Sequence, residues 1–73
     1  MDTIGSRIRV ARQKALLTQH ELGTRIGVRE SQITRWERDV SMPRIDHLLR
    51  IAQCLGVGVG ALCGQPPVAK AAR

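Results

Sequence analysis

The chain has 73 residues, a length that allows one small domain with a limited core and little room for a deep enzyme cleft. Twelve Lys and Arg residues against six Asp and Glu residues give a formal net charge of +6, which would attract a polyanion. Ten of these cations are arginine, the side chain best suited to forked contacts with phosphate and guanine.

The N-terminal sequence MDTIGSRIRV carries charges where a signal peptide has an apolar run. No window of the chain approaches the roughly 20 apolar residues of a membrane-spanning helix. We therefore expect a cytoplasmic protein without a membrane partner.

The cysteines and histidines do not form a metal-binding pattern. Cys54 and Cys63 stand among apolar residues and form no CxxC pair, so we interpret them as reduced thiols in the core, with a disulfide or a metal site as the alternative. His20 and His47 lack Cys, His or carboxylate partners at metal-ligand spacing. We expect neither a metal nor a cofactor.

Two helices are predicted at the start of the chain. From Thr3 to Ala15, apolar residues recur at steps of three and four with Arg and Lys between them, and either Asp2 or Thr3 could cap the start of this first helix. Thr18 is followed three residues later by Glu21, and this T-x-x-E capping box predicts the start of a second helix.

The stretch QHELGTRIGVRESQITRWE predicts two amphipathic helices joined by a sharp turn. Apolar pairs four and three residues apart mark their buried faces: Leu22 with Ile26, and Ile33 with Trp36. Gly27 lies between them and can adopt the left-handed conformation that commonly ends a helix. Gly23 has no side chain, so the next helix could cross there closely.

The last part of the chain predicts a further long helix and a tail. The helix has an apolar stripe closed by Gly56, formed by Ile45, Leu48, Leu49, Ala52 and Leu55. The tail, QPPVAKAAR, has two prolines and almost no bulky apolar residue, so we expect a mobile segment at residues 65–73.

One set of residues, in this order, resembles the helix-turn-helix of the lambdoid phage repressor and Cro proteins, the XRE family: Gln19, Leu22, Gly23, Ile26, Gly27, Val28, Ile33, Trp36 and Glu37. The resemblance runs from about Ile4 to Leu62. It implies an all-α, compact five-helix bundle at residues 1–64, with the helix-turn-helix at about residues 18–38. The segment VGVGALCG resembles the last short helix of the family.

Three residues depart from the family pattern. Leu16 and Asp39 stand where glycine is common, and Arg29 stands where a Ser or Thr usually caps helix three.

The outward face of helix three is rich in hydrogen-bond donors. With about 100° per residue, directing Ile33 and Trp36 inward turns four polar residues outward: Ser31, Thr34, Arg35 and Arg38. Arginine can bind O6 and N7 of guanine in the major groove, so we expect Arg35 to be the main base-reading residue. Trp36 is expected in the core, with base stacking as the less favoured alternative.

The resemblance implies further DNA contacts. Glu30, Ser31 and Arg35 match positions that touch bases, and Gln32 and Thr34 match positions that touch bases or backbone in some members. Glu30 either accepts a hydrogen bond from cytosine or stabilises the helix start through the helix dipole. The phosphate contacts that we predict involve Gln19, at a matching position, and Thr18, Arg38 and Arg44.

In the resembling family, an Arg of helix one and a Glu of helix three bridge the two helices. The matching residues here are Arg12 and Glu37, and we expect them to form a partly buried ion pair.

These observations predict a DNA-binding transcriptional regulator, a repressor that binds a palindromic operator as a homodimer. We place the dimer contact at apolar residues expected to be exposed: Val57, Val59 and Leu62. The alternative is a protein-interaction module, such as an antitoxin that binds a toxin, with DNA binding secondary. The sequence shows no nucleophile–base pair and no phosphate-binding glycine loop, which argues against an enzyme.

Overall fold

The computed structural model describes residues 3–64 of the chain, and within that range it contains five α-helices and no strand. Their bounds are α1 Ile4–Lys14, α2 Gln19–Ile26, α3 Glu30–Glu37, α4 Ile45–Leu55 and α5 Val59–Cys63. The predicted all-α bundle is confirmed. The predictions of Asp2 as a cap and of a mobile tail at residues 65–73 concern residues outside the described range. No described helix is both long and apolar enough to cross a membrane.

All five helices contribute to one hydrophobic core. Its buried side chains are Ile8 from α1, Leu22 and Ile26 from α2, Ile33 and Trp36 from α3, Leu48, Ile51 and Ala52 from α4, and Leu62 from α5. Burial of these apolar surfaces is the main favourable term in the folding of so small a domain. The predicted inward faces of α2 and α3 are confirmed.

The buried face of α4 differs from the prediction. Ile45 and Leu49 are 64% and 51% exposed, whereas Ile51, which the predicted stripe omitted, is completely buried. Leu48, Ile51 and Ala52 follow the three- and four-residue spacing of one helical face, and Ile45 and Leu49 lie to one side of it. Apolar residues cover too much of this helix for the spacing alone to identify the buried face.

Two expectations about α5 are wrong. Leu62 is 1% exposed and belongs to the core, so its side chain does not form part of an exposed dimer surface. Cys63 is exposed, because it follows Leu62 by one residue and is rotated about 100° from the buried face. Cys54 is half-buried against the core, as expected, and both thiols are free.

Asp39, at a position where the resembled family commonly has glycine, links the end of α3 to the start of α1. Its backbone is left-handed, with a φ of 61°. Its carboxylate accepts hydrogen bonds from the Thr3 hydroxyl at 2.6 Å and from the Gly5 backbone N–H at 3.0 Å. Thr3 also forms a capping box with Ser6, which identifies Thr3 as the α1 cap. Asp39 therefore satisfies backbone and side-chain donors at a helix start that is distant in the sequence.

Gly5 allows α1 to approach the end of α3 closely. A Cβ atom at this position would lie 2.4 Å from the carbonyl oxygen of Trp36 and 2.7 Å from that of Glu37. Both atoms belong to the backbone of α3, so the two helices would have to separate to accept a methyl group.

We predict that Gly5→Ala lowers the free energy of unfolding by about 1–3 kcal/mol, because the added methyl group overpacks the α1–α3 contact. Urea denaturation followed by circular dichroism measures this change. Gly58→Ala is the matched control, because a Cβ at Gly58 meets nothing within 4 Å. Equal stability of the two variants would contradict the close approach.

Leu16 occupies the other loop position at which the resembled family commonly has glycine, and a leucine side chain cannot accept the hydrogen bonds that Asp39 accepts. Its φ is 61°, a conformation that costs a branched side chain energy, and its residue surface is 88% exposed.

We predict that Leu16→Gly raises the free energy of unfolding by about 0.5–1 kcal/mol, because relief of the left-handed conformation exceeds the entropy cost of glycine. Asp39→Gly, which relieves the same conformation but removes two hydrogen bonds, should lower stability. Thermal unfolding of both variants measures the difference. A destabilised Leu16→Gly protein would contradict the assignment of strain at Leu16.

Candidate nucleic-acid interface

The turn between α2 and α3 has the geometry that its glycines predict. Gly27 ends α2 with a φ of 81°, and its N–H donates to the carbonyl of Gly23. A Cβ at Gly23 would lie 2.7 Å from the carbonyl oxygen of Val28. The absence of a side chain at Gly23 thus lets the chain enter α3 directly against α2.

A buried ion pair joins α1 to the end of α3. Nε of Arg12 lies 2.6 Å from Oε2 of Glu37, and Nη2 lies 3.0 Å from Oε1, so the contact is bidentate. The two side chains are 11% and 3% exposed, which is deeper than the partly buried pair that we predicted. Nη1 of Arg12 also donates to the carbonyl of Leu17 at 2.8 Å, so the pair also fixes the loop before α2.

Gln19 extends this ion pair to α2. Its Nε2 donates to Oε1 of Glu37 at 3.0 Å, and its Oε1 accepts from the hydroxyl of Thr34 at 2.8 Å. Both ends of the Gln19 amide are therefore held by α3 at the first turn of α2, where we predicted a phosphate contact. Thr34 is half-buried, and its single hydroxyl hydrogen is directed to Gln19 or to the Glu30 carbonyl, which leaves mainly its methyl group for an outward contact.

We predict that Arg12→Ala lowers the free energy of unfolding by about 3–5 kcal/mol, because it leaves the buried carboxylate of Glu37 without its cation. Urea denaturation at neutral pH measures the loss. Arg9→Ala removes an exposed arginine from the same helix and should change stability little. Equal midpoints for the two variants would contradict a buried, coupled pair.

The outer surface of α3 exposes the remaining donors. Ser31, Arg35 and Arg38 are exposed, as predicted. Ser31 and Arg35 are four residues apart on one face and line a concavity of about 510 Å³ between α3 and the start of α4. Arg29 and Arg44 line the same concavity, so three arginines surround it. Such a surface has the charge and the donors to bind phosphates and the edges of bases.

Glu30 lies in the first turn of α3 and is exposed. Arg29, the residue before the helix, makes no side-chain cap hydrogen bond, so the carboxylate of Glu30 is the negative group nearest to the N-terminal dipole of α3. Nδ1 of His20 on α2 lies 3.7 Å from Oε1 of Glu30, too far for a hydrogen bond but close enough for attraction when His20 is protonated. As an exposed carboxylate in the first turn, Glu30 can stabilise the helix start through the dipole and can also accept a hydrogen bond from cytosine.

Gln32 points in a direction that the sequence did not predict. It is half-buried, and its Nε2 donates to the hydroxyl of Ser41 at 3.2 Å. This contact turns the Gln32 amide toward the loop after α3 and away from the exposed face of the helix.

The residues predicted to contact phosphate lie at the starts of helices or on the exposed surface. Thr18 caps α2: its hydroxyl accepts from the backbone N–H of Glu21 at 3.0 Å and keeps its own hydrogen for a donor contact. Its backbone N–H donates to the Glu21 carboxylate, and this hydrogen bond lowers the pKa of Glu21. Arg38 and Arg44 are exposed, and Arg44 immediately precedes α4.

His47 packs against Trp36, with ring centroids 5.1 Å apart and planes at 47°. Its Nδ1 is buried and has no hydrogen-bond partner among residues 3–64. Trp36 itself is 3% exposed and lies in the core, as expected. The described part of the chain contains no group of three His, Cys, Asp or Glu side chains that could hold a metal ion.

The chain belongs to the helix-turn-helix family, because the family model of that description matches residues 8–62. It is 32% identical over 68 residues to the HTH-type transcriptional regulator ImmR of Bacillus subtilis strain 168, a match that covers 93% of this chain and 54% of ImmR. The same identity and length relate it to the immunity repressor protein of Bacillus phage phi105, with 93% and 47% covered. The chain therefore spans about half the length of these relatives.

The fold is also similar to that of a repressor solved on DNA. The P22 c2 repressor in complex with a synthetic operator superposes with a TM-score of 0.83 and 30% sequence identity, over 90% of this chain and 100% of that one. Family membership and this likeness confirm the lambdoid repressor-like, XRE-type fold that the resemblance implied.

Proposed function

We propose that this protein is a sequence-specific DNA-binding transcriptional regulator that acts as a repressor, with α3 in the major groove of its operator. The observation that carries the proposal is the exposed face of α3, where Ser31 and Arg35 stand beside Arg29 and Arg44. The buried pair of Arg12 and Glu37 holds the opposite side of this helix.

The positions of these side chains suit distinct roles on DNA. Arg35 is placed to bind guanine, and Ser31 to contact the adjacent base edge. At the start of α2, the backbone N–H of Gln19 is the group offered to a phosphate, because α3 holds the side-chain amide. Thr18, Arg38 and Arg44 are the further proposed phosphate contacts. The names of the relatives support the proposal, since ImmR is a transcriptional regulator and the phi105 protein is an immunity repressor.

The proposed binding unit is a homodimer on a palindromic operator. One recognition helix reads only a few base pairs, and two helices related by a two-fold axis can read half-sites about 34 Å apart. Val57 and Val59 are half-buried and adjoin the core, so they remain candidates for the contact between protomers. Leu62 is not a candidate, because its own protomer buries it. Action on an operator also implies a cytoplasmic location and a binding rather than an enzymatic activity.

We predict that selection from a library of random duplexes enriches a palindrome, and that Arg35→Ala relaxes the preference at one guanine in each half-site. The loss of a bidentate contact should weaken binding to the selected site by about 5- to 150-fold. Titration of each protein on the selected duplex and on its single-base variants measures both effects. Arg25→Ala, on the exposed surface of α2 away from this concavity, is the matched control.

The same titrations at several salt concentrations measure how many phosphates the protein neutralises, through the slope of log affinity against log salt. Neutralisation of about six phosphates gives a slope of roughly −5 in log affinity against log salt. Enrichment of no sequence, with binding that depends on salt alone, would contradict base recognition by α3. Absence of DNA binding would favour a protein-interaction module instead.

A further inference from the structure

Gln32 faces Ser41 across the loop that follows α3. The Gln32 Nε2 to Ser41 Oγ distance is 3.2 Å, and both residues are half-buried. Within residues 3–64, this is the one side-chain hydrogen bond that joins α3 to residues 40–44. The backbone of the loop contributes a 2.9 Å bond from the Val40 N–H to the Arg35 carbonyl and a longer one, 3.4 Å, from the Ser41 N–H.

This loop leads directly to Arg44. Met42 is 67% exposed, Pro43 is buried, and Arg44 begins the approach to α4 in an extended conformation. Gln32 and Ser41 line the same concavity as Arg29, Arg35 and Arg44. Their hydrogen bond therefore closes one wall of the space that the three arginines surround.

We propose that Gln32 is a positioning residue and not a base reader: through Ser41 it holds the loop so that Arg44 is kept beside Arg35, ready to contact a DNA phosphate. This inference rests on the proposed function, because it assigns Arg44 to the DNA backbone. It also assigns Gln32 a different role from the direct contact with bases or backbone that its position in the family implies.

The entropy cost of ordering a loop explains why the hydrogen bond between Gln32 and Ser41 affects the affinity for DNA. A loop that is free in solution must become ordered when the phosphate binds. Each side chain that is immobilised at an interface loses conformational entropy, and this loss weakens binding. A loop that is already held by Gln32 loses less entropy on binding. Because Gln32 acts through a phosphate contact, its loss should weaken binding to all sequences alike.

The test is a set of binding titrations on the selected duplex and on single-base variants of it. Gln32→Ala and Ser41→Ala should each weaken binding by about 3- to 10-fold, and the double variant no further, because both remove the same hydrogen bond. Neither should change the ranking of base variants. In an Arg44→Ala background, Gln32→Ala should have no further effect on affinity or on the salt slope.

Two further variants separate positioning from general damage to the fold. Ser41→Thr keeps the hydroxyl and should retain wild-type affinity, and Gln13→Ala removes an exposed glutamine of α1 and should change nothing. Circular dichroism at the assay temperature establishes that each variant is folded. A change of base preference in Gln32→Ala, or an undiminished effect in the Arg44→Ala background, would overturn the proposal while leaving DNA binding intact. A wild-type protein that binds no DNA would overturn both.

Discussion

The structure depends most on the buried ion pair of Arg12 and Glu37. One guanidinium and one carboxylate, both almost inaccessible to solvent, join α1 to α3, and Gln19 extends the contact to α2. Three of the five helices therefore meet at one charged centre, which is costly to break because either charge left alone would be buried without compensation. The consequence for function is geometric. The C-terminal end of α3, where Glu37 lies, is fixed against α1 and α2. The exposed face of α3 is therefore a rigid surface for a partner.

The two loops at which the family commonly has glycine show the same left-handed conformation with different consequences. At Asp39 the left-handed backbone places a carboxylate where it accepts from Thr3 and Gly5, so the end of α3 caps the start of α1. At Leu16 the same conformation has no such partner, and a bulky apolar side chain is left in solvent. The departure from glycine is thus compensated in one loop and uncompensated in the other.

Local patterns in the sequence predicted the features that local physics determines. These include the capping box of Thr18 and Glu21, the turn at Gly27 and the inward faces of α2 and α3. The family resemblance added the ion pair. The features that could not be predicted depend on how separate segments pack against each other. The contacts of Gln32 with Ser41 and of His20 with Glu30 join different elements, and the spacing of residues in the sequence does not show how those elements are oriented. Burial of Leu62 was missed because a five-residue helix has too few turns to show a periodicity.

Modified bases in the selected operator test most directly whether α3 reads DNA from the major groove. Replacing the guanine assigned to Arg35 by 7-deazaguanine removes a major-groove acceptor, whereas replacing it by inosine removes only the minor-groove amino group. The structure predicts that 7-deazaguanine weakens binding of the wild-type protein but not of Arg35→Ala, and that inosine has little effect on either. Sensitivity to inosine with indifference to 7-deazaguanine would contradict the account.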